Sequence, residues 1–197
     1  MPRVIRRVCV FCGANTGIDP AHREAAIALG RRLAARGQEL VYGGGQVGLM
    51  GVLADAVLGA GGRAIGVLPE ILATKELAHP GLTEMRIVPG MHARKALMME
   101  LTDAFVALPG GFGTFDELFE AITWAQLGIH AKPIGVLDVA GYFDPFVRLV
   151  DGGIAAGFIR PEHRGLLVVG RDPEALLEEL ARHELPAVRK WADPEPA

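Results

Sequence analysis

Cysteine is scarce in this chain: Cys9 and Cys12 are the only two. They form a C-x-x-C, but a redox pair belongs at a helix start and a zinc site needs two further ligands. Here the pair lies in an apolar, strand-like stretch, where residues three apart face opposite sides. Two buried small residues are expected rather than a redox or metal centre. Long apolar runs are also missing, since none approaches the roughly 20 residues that a membrane helix needs. The segment Met1-Pro-Arg-Val-Ile-Arg-Arg7 leads straight into a strand without an apolar signal region, so a cytoplasmic protein is expected. There is no basic excess: the net charge of −3 gives no support for a nucleic-acid or membrane-surface partner. Arg3, Arg6 and Arg7 read as a solvated strand edge. Lysine is rare as well, with four Lys against sixteen Arg. Lys75, Lys95, Lys132 and Lys190 are thus the only candidates for Schiff-base chemistry, and none has a convincing cofactor setting. Aromatics contribute 6% of residues, which leaves the core to Ala, Val, Leu and Ile.

What the chain does have is alternation. Strand-like runs at Arg7–Phe11, Glu39–Tyr42, Ala64–Leu68, Ala104–Leu108, Pro133–Leu137 and Leu166–Val169 are separated by helical patterns. Asp19-Pro20 reads as an N-cap followed by proline at the first helical position, and Gly37 as that helix's end. Further helices are expected at about Leu49–Leu58, Met91–Leu101, Thr114–Leu127, Phe143–Ala156 and Pro173–His183. Strands alternating with helices predict an α/β fold: a Rossmann-like, doubly wound parallel sheet with helices on both faces. A single domain is expected over residues 1–185, with residues 186–197 as a flexible, proline-rich tail. The stretch from Pro69 to Gly90 is less regular and reads as partly loop, a place for a movable substrate cover.

Open α/β sheets bind ligands beyond the carboxyl ends of their strands, and two of those ends carry glycine clusters. The first, Tyr42-Gly-Gly-Gly-Gln-Val-Gly48-Leu-Met-Gly51, satisfies G-x-G-x-x-G through Gly43, Gly45 and Gly48. It follows the second strand rather than the first. The nearest acidic residue past the next strand, Glu70, lies farther on than the roughly 20 residues of a dinucleotide fingerprint. Close helix–strand packing with a backbone lining a pocket is the better reading. The second cluster is Leu108-Pro-Gly-Gly-Phe-Gly-Thr114-Phe-Asp-Glu117. Gly110, Gly111 and Gly113 let backbone N–H groups approach a ligand, and the following helix adds its positive end, so a phosphate is the natural guest. No Lys-Ser or Lys-Thr follows at Walker spacing, which favours a monophosphate over a metal-bound triphosphate. Thr114 and Glu117 also match the S/T-x-x-E capping box, so a purely structural role stays open for both. A sugar phosphate would reconcile phosphate and carboxylate, with its phosphate on the glycine turn and its ribose over Glu117.

Ahead of the central strand, Met91-His-Ala-Arg94-Lys95 opens a helix. Cations favour a helix C-terminus, so this N-terminal pair suggests an outside anion. Arg94 and Met98, four apart, share a face, which lets Arg94 point inward. Arginine keeps its charge near neutral pH, leaving it orientation and electrostatic stabilisation.

The paired motifs M-x-x-R-K and P-G-G-x-G-T-x-x-E resemble the signature of the Lonely Guy family, cytokinin riboside 5′-monophosphate phosphoribohydrolases often labelled lysine decarboxylases. The likeness extends over Val10-Phe-Cys-Gly13, Tyr42 through Gly51, and Ile122-Thr-Trp-Ala-Gln-Leu-Gly-Ile-His130. It implies hydrolysis of the N-glycosidic bond of a purine nucleoside 5′-monophosphate, AMP or an N6-substituted form, to free base and ribose 5-phosphate, as in cytokinin biosynthesis. It implies Arg94 and Glu117 as the catalytic pair and Gly110, Gly111, Gly113 and Thr114 around the phosphate. Lys95, Glu76, Thr123, Gly13, Gly44 and Gly45 would be further substrate contacts. No metal or cofactor is implied, and the expected assembly is a homodimer with active sites near its interface. The flexible Met98-Met99 pair suits either an interface or a core. Two positions depart from the family pattern: Ala14-Asn15 where Ser-Ser is frequent, and Phe115-Asp116 where Leu-Glu is. The alternative is a non-catalytic nucleotide-binding or carrier protein on the same fold.

Overall fold

The computed structural model describes residues 2–73 and 77–187. In chain order the elements are β1 (Arg7–Phe11), α1 (Pro20–Ala35), β2 (Glu39–Tyr42), α2 (Gly48–Gly59), β3 (Ala64–Pro69), β4 (Glu84–Val88), α3 (Met91–Leu101), β5 (Ala104–Ala107), α4 (Phe112–Gln126), β6 (Ile134–Leu137), α5 (Asp144–Ala155), β7 (Leu167–Gly170) and α6 (Pro173–Arg182). All strand pairs are parallel, in the order β4-β3-β2-β1-β5-β6-β7.

The period-2 geometry of a strand sorts side chains between two cores. Along β1, Val8 and Val10, with Cys12 just beyond, pack beneath Leu29 and Leu33 of α1, Leu53 and Val57 of α2, and Leu177 and Leu180 of α6. Cys9 and Phe11 point the other way, toward Met98 of α3, Leu118 of α4 and Phe146 of α5. The two cysteines are buried and free, on opposite faces of the sheet, as a strand requires. Burial pushes both thiols up, so they stay protonated. Each fully buried leucine or valine in these layers contributes about 1.5–3 kcal/mol, which is how a core poor in aromatics holds together.

The helix starts follow local chemistry. Asp19 accepts a hydrogen bond from the Ala21 N–H at 2.9 Å with Pro20 opening α1, and Asp172 accepts one from the Ala175 N–H at 2.8 Å at α6. Gly37 follows α1 with φ +66°, the left-handed conformation that glycine takes cheaply. Among the described residues no helix is long and apolar enough to cross a membrane.

Three readings that the sequence leaves open are resolved. The irregular stretch before Gly90 contains an edge strand, β4, paired in register from Ile65↔Glu84 to Pro69↔Val88. Its mixed sequence, Glu-Met-Arg-Ile-Val, is exposed along one edge and shows neither an apolar run nor a clean alternation. Met98 and Met99 are both buried in the core and lend nothing to an interface. Helix α4 begins at Phe112, two residues before Thr114, with Gly111 as its N-cap and no side-chain cap bond. Thr114 is therefore inside the helix, and the capping box does not form. Of the expected tail, residues 188–197 lie outside the described residues; Leu185, just before the tail, packs against the second core.

Candidate active site

The strand order reverses at β1: β2 lies on one side and β5 on the other, so the loops leaving β1 and β5 diverge and open a crevice. Backbone bonds stitch its walls. The Leu108 N–H donates to the Phe11 carbonyl (2.9 Å), the Gly13 N–H to the Pro109 carbonyl (3.1 Å) and the Leu49 N–H to the Gly13 carbonyl (2.9 Å). Such contact leaves no room for side chains: a Cβ on Gly13 would lie 3.2 Å from the Gly110 Cα, and one on Gly110 would lie 2.1 Å from the Thr114 Oγ1. The crevice holds a cavity of about 470 Å³ lined by Gly13, Gly110, Gly111, Gly113, Thr114, Arg94 and Glu117, together with Asn15, Thr16, His22, Gly43, Met50, Leu72, Phe112 and Tyr142.

One wall is the start of α4. The first N–H groups of a helix have no intrahelical acceptor, and here no side chain caps them. Gly111 and Gly113 have nothing within 4 Å of where a Cβ would stand, so both face open space. Gly113 and Glu117, four apart, share a helical face about 6 Å apart along the axis. Glu117 is buried, 8% exposed, and its Oε1 lies 3.0 Å from Arg94 Nη1. Arg94 comes from the first turn of α3, four residues before buried Met98, and its Nε donates to the Val67 carbonyl at 3.1 Å. Gly43 makes room for the guanidinium: a Cβ there would lie 2.1 Å from Nη2. Burial raises the Glu117 carboxyl above its ordinary value, with Arg94 opposing the shift.

The cations at the start of α3 are held from within rather than by an outside anion. Arg94 pairs with Glu117, and Lys95 Nζ lies 3.1 Å from both Asp116 Oδ2 and Glu120 Oε1. Burial works against the Lys95 charge, but bonds to Glu120 and Asp116 outweigh it and raise its pKa. Neither Lys95 nor Thr123 lines the cavity, and the Thr123 hydroxyl donates back to the Phe119 carbonyl at 2.7 Å. Gly44 and Gly45 stand behind Gly43 in the β2 turn. Gly44 has φ +74° and accepts from the His79 N–H, and the Gly45 carbonyl accepts from the Tyr42 hydroxyl. Glu76 lies outside the described residues, as do Lys75 and Lys190. Neither described lysine, Lys95 or Lys132, lines the cavity. The motif reading passed over His22 and Tyr142, which also line the cavity. Their one signal is position, His22 in the first turn of α1 and Tyr142 in the loop after β6, both beyond the carboxyl edge of the sheet.

The fold is that of a parallel, doubly wound α/β protein, with a buried Arg–Glu pair and an uncapped, glycine-lined helix start on one crevice at its switch point. The family model described as "Possible lysine decarboxylase" matches residues 50–180. A probable cytokinin riboside 5′-monophosphate phosphoribohydrolase of Oryza sativa subsp. japonica is 52% identical over 178 residues, 90% of this chain and 78% of that protein. A cytokinin riboside 5′-monophosphate phosphoribohydrolase of Arabidopsis thaliana is 46% identical over 179 residues, 91% of this chain and 82% of that protein. The chain belongs to this phosphoribohydrolase family. Among solved structures, the molybdenum cofactor carrier protein of Chlamydomonas reinhardtii superposes with a TM-score of 0.67 at 23% identity, covering 88% of this chain and 96% of that one, a likeness of fold.

Proposed function

We propose that this protein hydrolyses the N-glycosidic bond of a purine nucleoside 5′-monophosphate, AMP or an N6-substituted form, to the free base and ribose 5-phosphate. The observation that carries the reading is the buried Arg94–Glu117 pair one turn beyond the open, uncapped start of α4, with both groups on one cavity. The 5′-phosphate sits against Gly110, Gly111, Gly113 and Thr114, where free N–H groups and the helix dipole favour an anion. Four residues on, the ribose lies over Glu117. The C1′–N bond breaks with its electron pair leaving on the base, and Glu117 stabilises the oxocarbenium-like sugar. Glu117 also accepts a proton from the water whose oxygen bonds to C1′, and solvent returns a proton to the base nitrogen. Arg94 orients the substrate and offsets charge on the departing base. A carrier would have no use for a buried carboxylate held at that distance from the phosphate.

The test is release of free base from adenosine, AMP and ATP at matched concentrations. AMP or its N6-substituted forms react. Adenosine loses kcat as well as affinity, because the phosphate's binding energy holds the ribose in place. ATP fails for want of a triphosphate cradle. Comparable kcat/KM for adenosine and AMP would show that the glycine turn is not the anchor. The working form is a cytoplasmic homodimer. Phe119 and Thr123 on α4 and Leu127 at its C-cap form an exposed stripe at four-residue spacing, which suits a partner copy. Light scattering should give twice the chain mass, and one chain's mass with full activity would reject the dimer.

A further inference from the structure

The turn proposed to bind phosphate contains a weak point. The peptide between Gly110 and Gly111 is flanked by two glycines, and Gly111 is not packed against anything. Glycine rotates freely about φ and ψ, so this peptide can flip at little cost. A peptide is planar and trans, so its C=O and N–H point in opposite directions. In one orientation the turn offers an anion the Gly111 N–H. In the other it offers the Gly110 carbonyl oxygen, which repels it.

Tyr142 settles the orientation. Its hydroxyl donates to the Gly110 carbonyl. The residue itself is held from several sides, at the carboxyl end of β6. Its N–H donates to the Val139 carbonyl at 3.0 Å, and the next N–H, of Phe143, donates to the buried Asp138 carboxylate at 2.9 Å. Its ring stacks on Phe115 of α4, with centroids 6.4 Å apart and planes 9° from parallel. Such anchoring makes the hydroxyl a fixed donor. We infer that Tyr142 is a positioning residue whose hydroxyl locks the Gly110–Gly111 peptide so that the Gly111 N–H serves the substrate's 5′-phosphate. The inference rests on the proposed phosphate site.

Tyr142→Phe removes the hydroxyl and keeps the stacking ring. The expected result is a rise of about 5- to 10-fold in KM for AMP, the scale of one hydrogen bond. The Ki of inorganic phosphate as a competitor rises by the same factor. Meanwhile the slow hydrolysis of adenosine, which has no phosphate to lose, falls far less than that of AMP, and the melting temperature moves by no more than about 2 °C. A purely structural role would instead depress adenosine and AMP turnover together and lower the melting temperature. That outcome, or unchanged KM and phosphate Ki, overturns the latch. If the wild type itself prefers AMP over adenosine and is inhibited by phosphate, such a failure concerns Tyr142 alone. If the wild type shows neither property, the phosphate site fails and the latch with it.

Discussion

Two glycine-rich turns leave the strands on either side of β1, and they spend their glycines differently. In the turn after β2, a Cβ on Gly43, Gly45, Gly48 or Gly51 would lie 2.1, 2.9, 2.2 and 2.0 Å from Arg94 Nη2, Met50 Cε, the Ala14 carbonyl carbon and the Gln46 oxygen. Gly48 also has φ +60°. Those glycines are consumed by the protein's own packing. In the turn after β5 only Gly110 is crowded, while Gly111 and Gly113 border empty space with ordinary backbone angles. Among the described residues, none crowds a side chain at those two positions. A guest that needs the room would. The G-x-G-x-x-G reads like a nucleotide motif yet serves architecture and makes space for Arg94, whereas the P-G-G-x-G-T is left open.

The largest expected effect lies beside the open turn. Glu117→Gln should cut kcat for AMP by about 10²- to 10⁴-fold, the span of a lost acid–base group, with an unchanged circular dichroism spectrum. Near-normal turnover with a lowered melting temperature would return Glu117 to a structural role. The closed turn should answer in stability instead. Gly48→Ala would drive a methyl group into the Ala14 backbone at a positive φ, and about 2–3 kcal/mol of unfolding free energy should be lost in urea titration. Should this variant be as stable as the wild type, the contrast between the turns collapses. Gly113→Ala is the mirror case. Inside α4 an alanine should stabilise the helix by up to about 1 kcal/mol, while its methyl group enters the cavity and raises KM for AMP several-fold. A variant with better stability and unaltered KM would leave the open turn without a ligand.

The smallest effect is a displaced acid limb. In the proposed reaction Glu117 acts as the carboxylate, and burial raises its pKa above the ordinary 4.5 despite Arg94. The kcat/KM profile for AMP should therefore fall as pH drops through a value above that figure, and the residual activity of Glu117→Gln should lack this limb. Folding carries the opposite sign. A raised carboxyl pKa contributes stability that is present below pH 4.5 and lost as pH rises through the folded value. Denaturant midpoints of wild type and Glu117→Gln across that range should differ in slope accordingly.

Much of this arrangement is legible before any coordinates. The alternation of Val-rich runs with amphipathic segments is enough for a parallel doubly wound sheet, because buried strands and one-faced helices have few other ways to hide their apolar sides. Asp19-Pro20 marks a helix start by itself, because a cap acts over two or three residues. Arg94 facing the core follows from its spacing to Met98. Strand β4 is the counterexample. Its Glu84, Arg86 and exposed Ile87 carry no pattern, and its extended form comes from pairing with β3.

By itself, then, the sequence determined the fold class, the cap at α1, the opposed burial of Cys9 and Cys12, and the residues from which a site could be built. All of these rest on interactions that are local or periodic along the chain. Tertiary structure alone decided that Glu117 meets Arg94 rather than capping a helix. It likewise decided that Lys95 is held by Asp116 and Glu120, that one glycine turn is filled and the other empty, and that the Tyr142 hydroxyl reaches Gly110. The ion pairs and the Tyr142 bond join segments more than 20 residues apart in sequence, so their geometry exists only once the chain has folded.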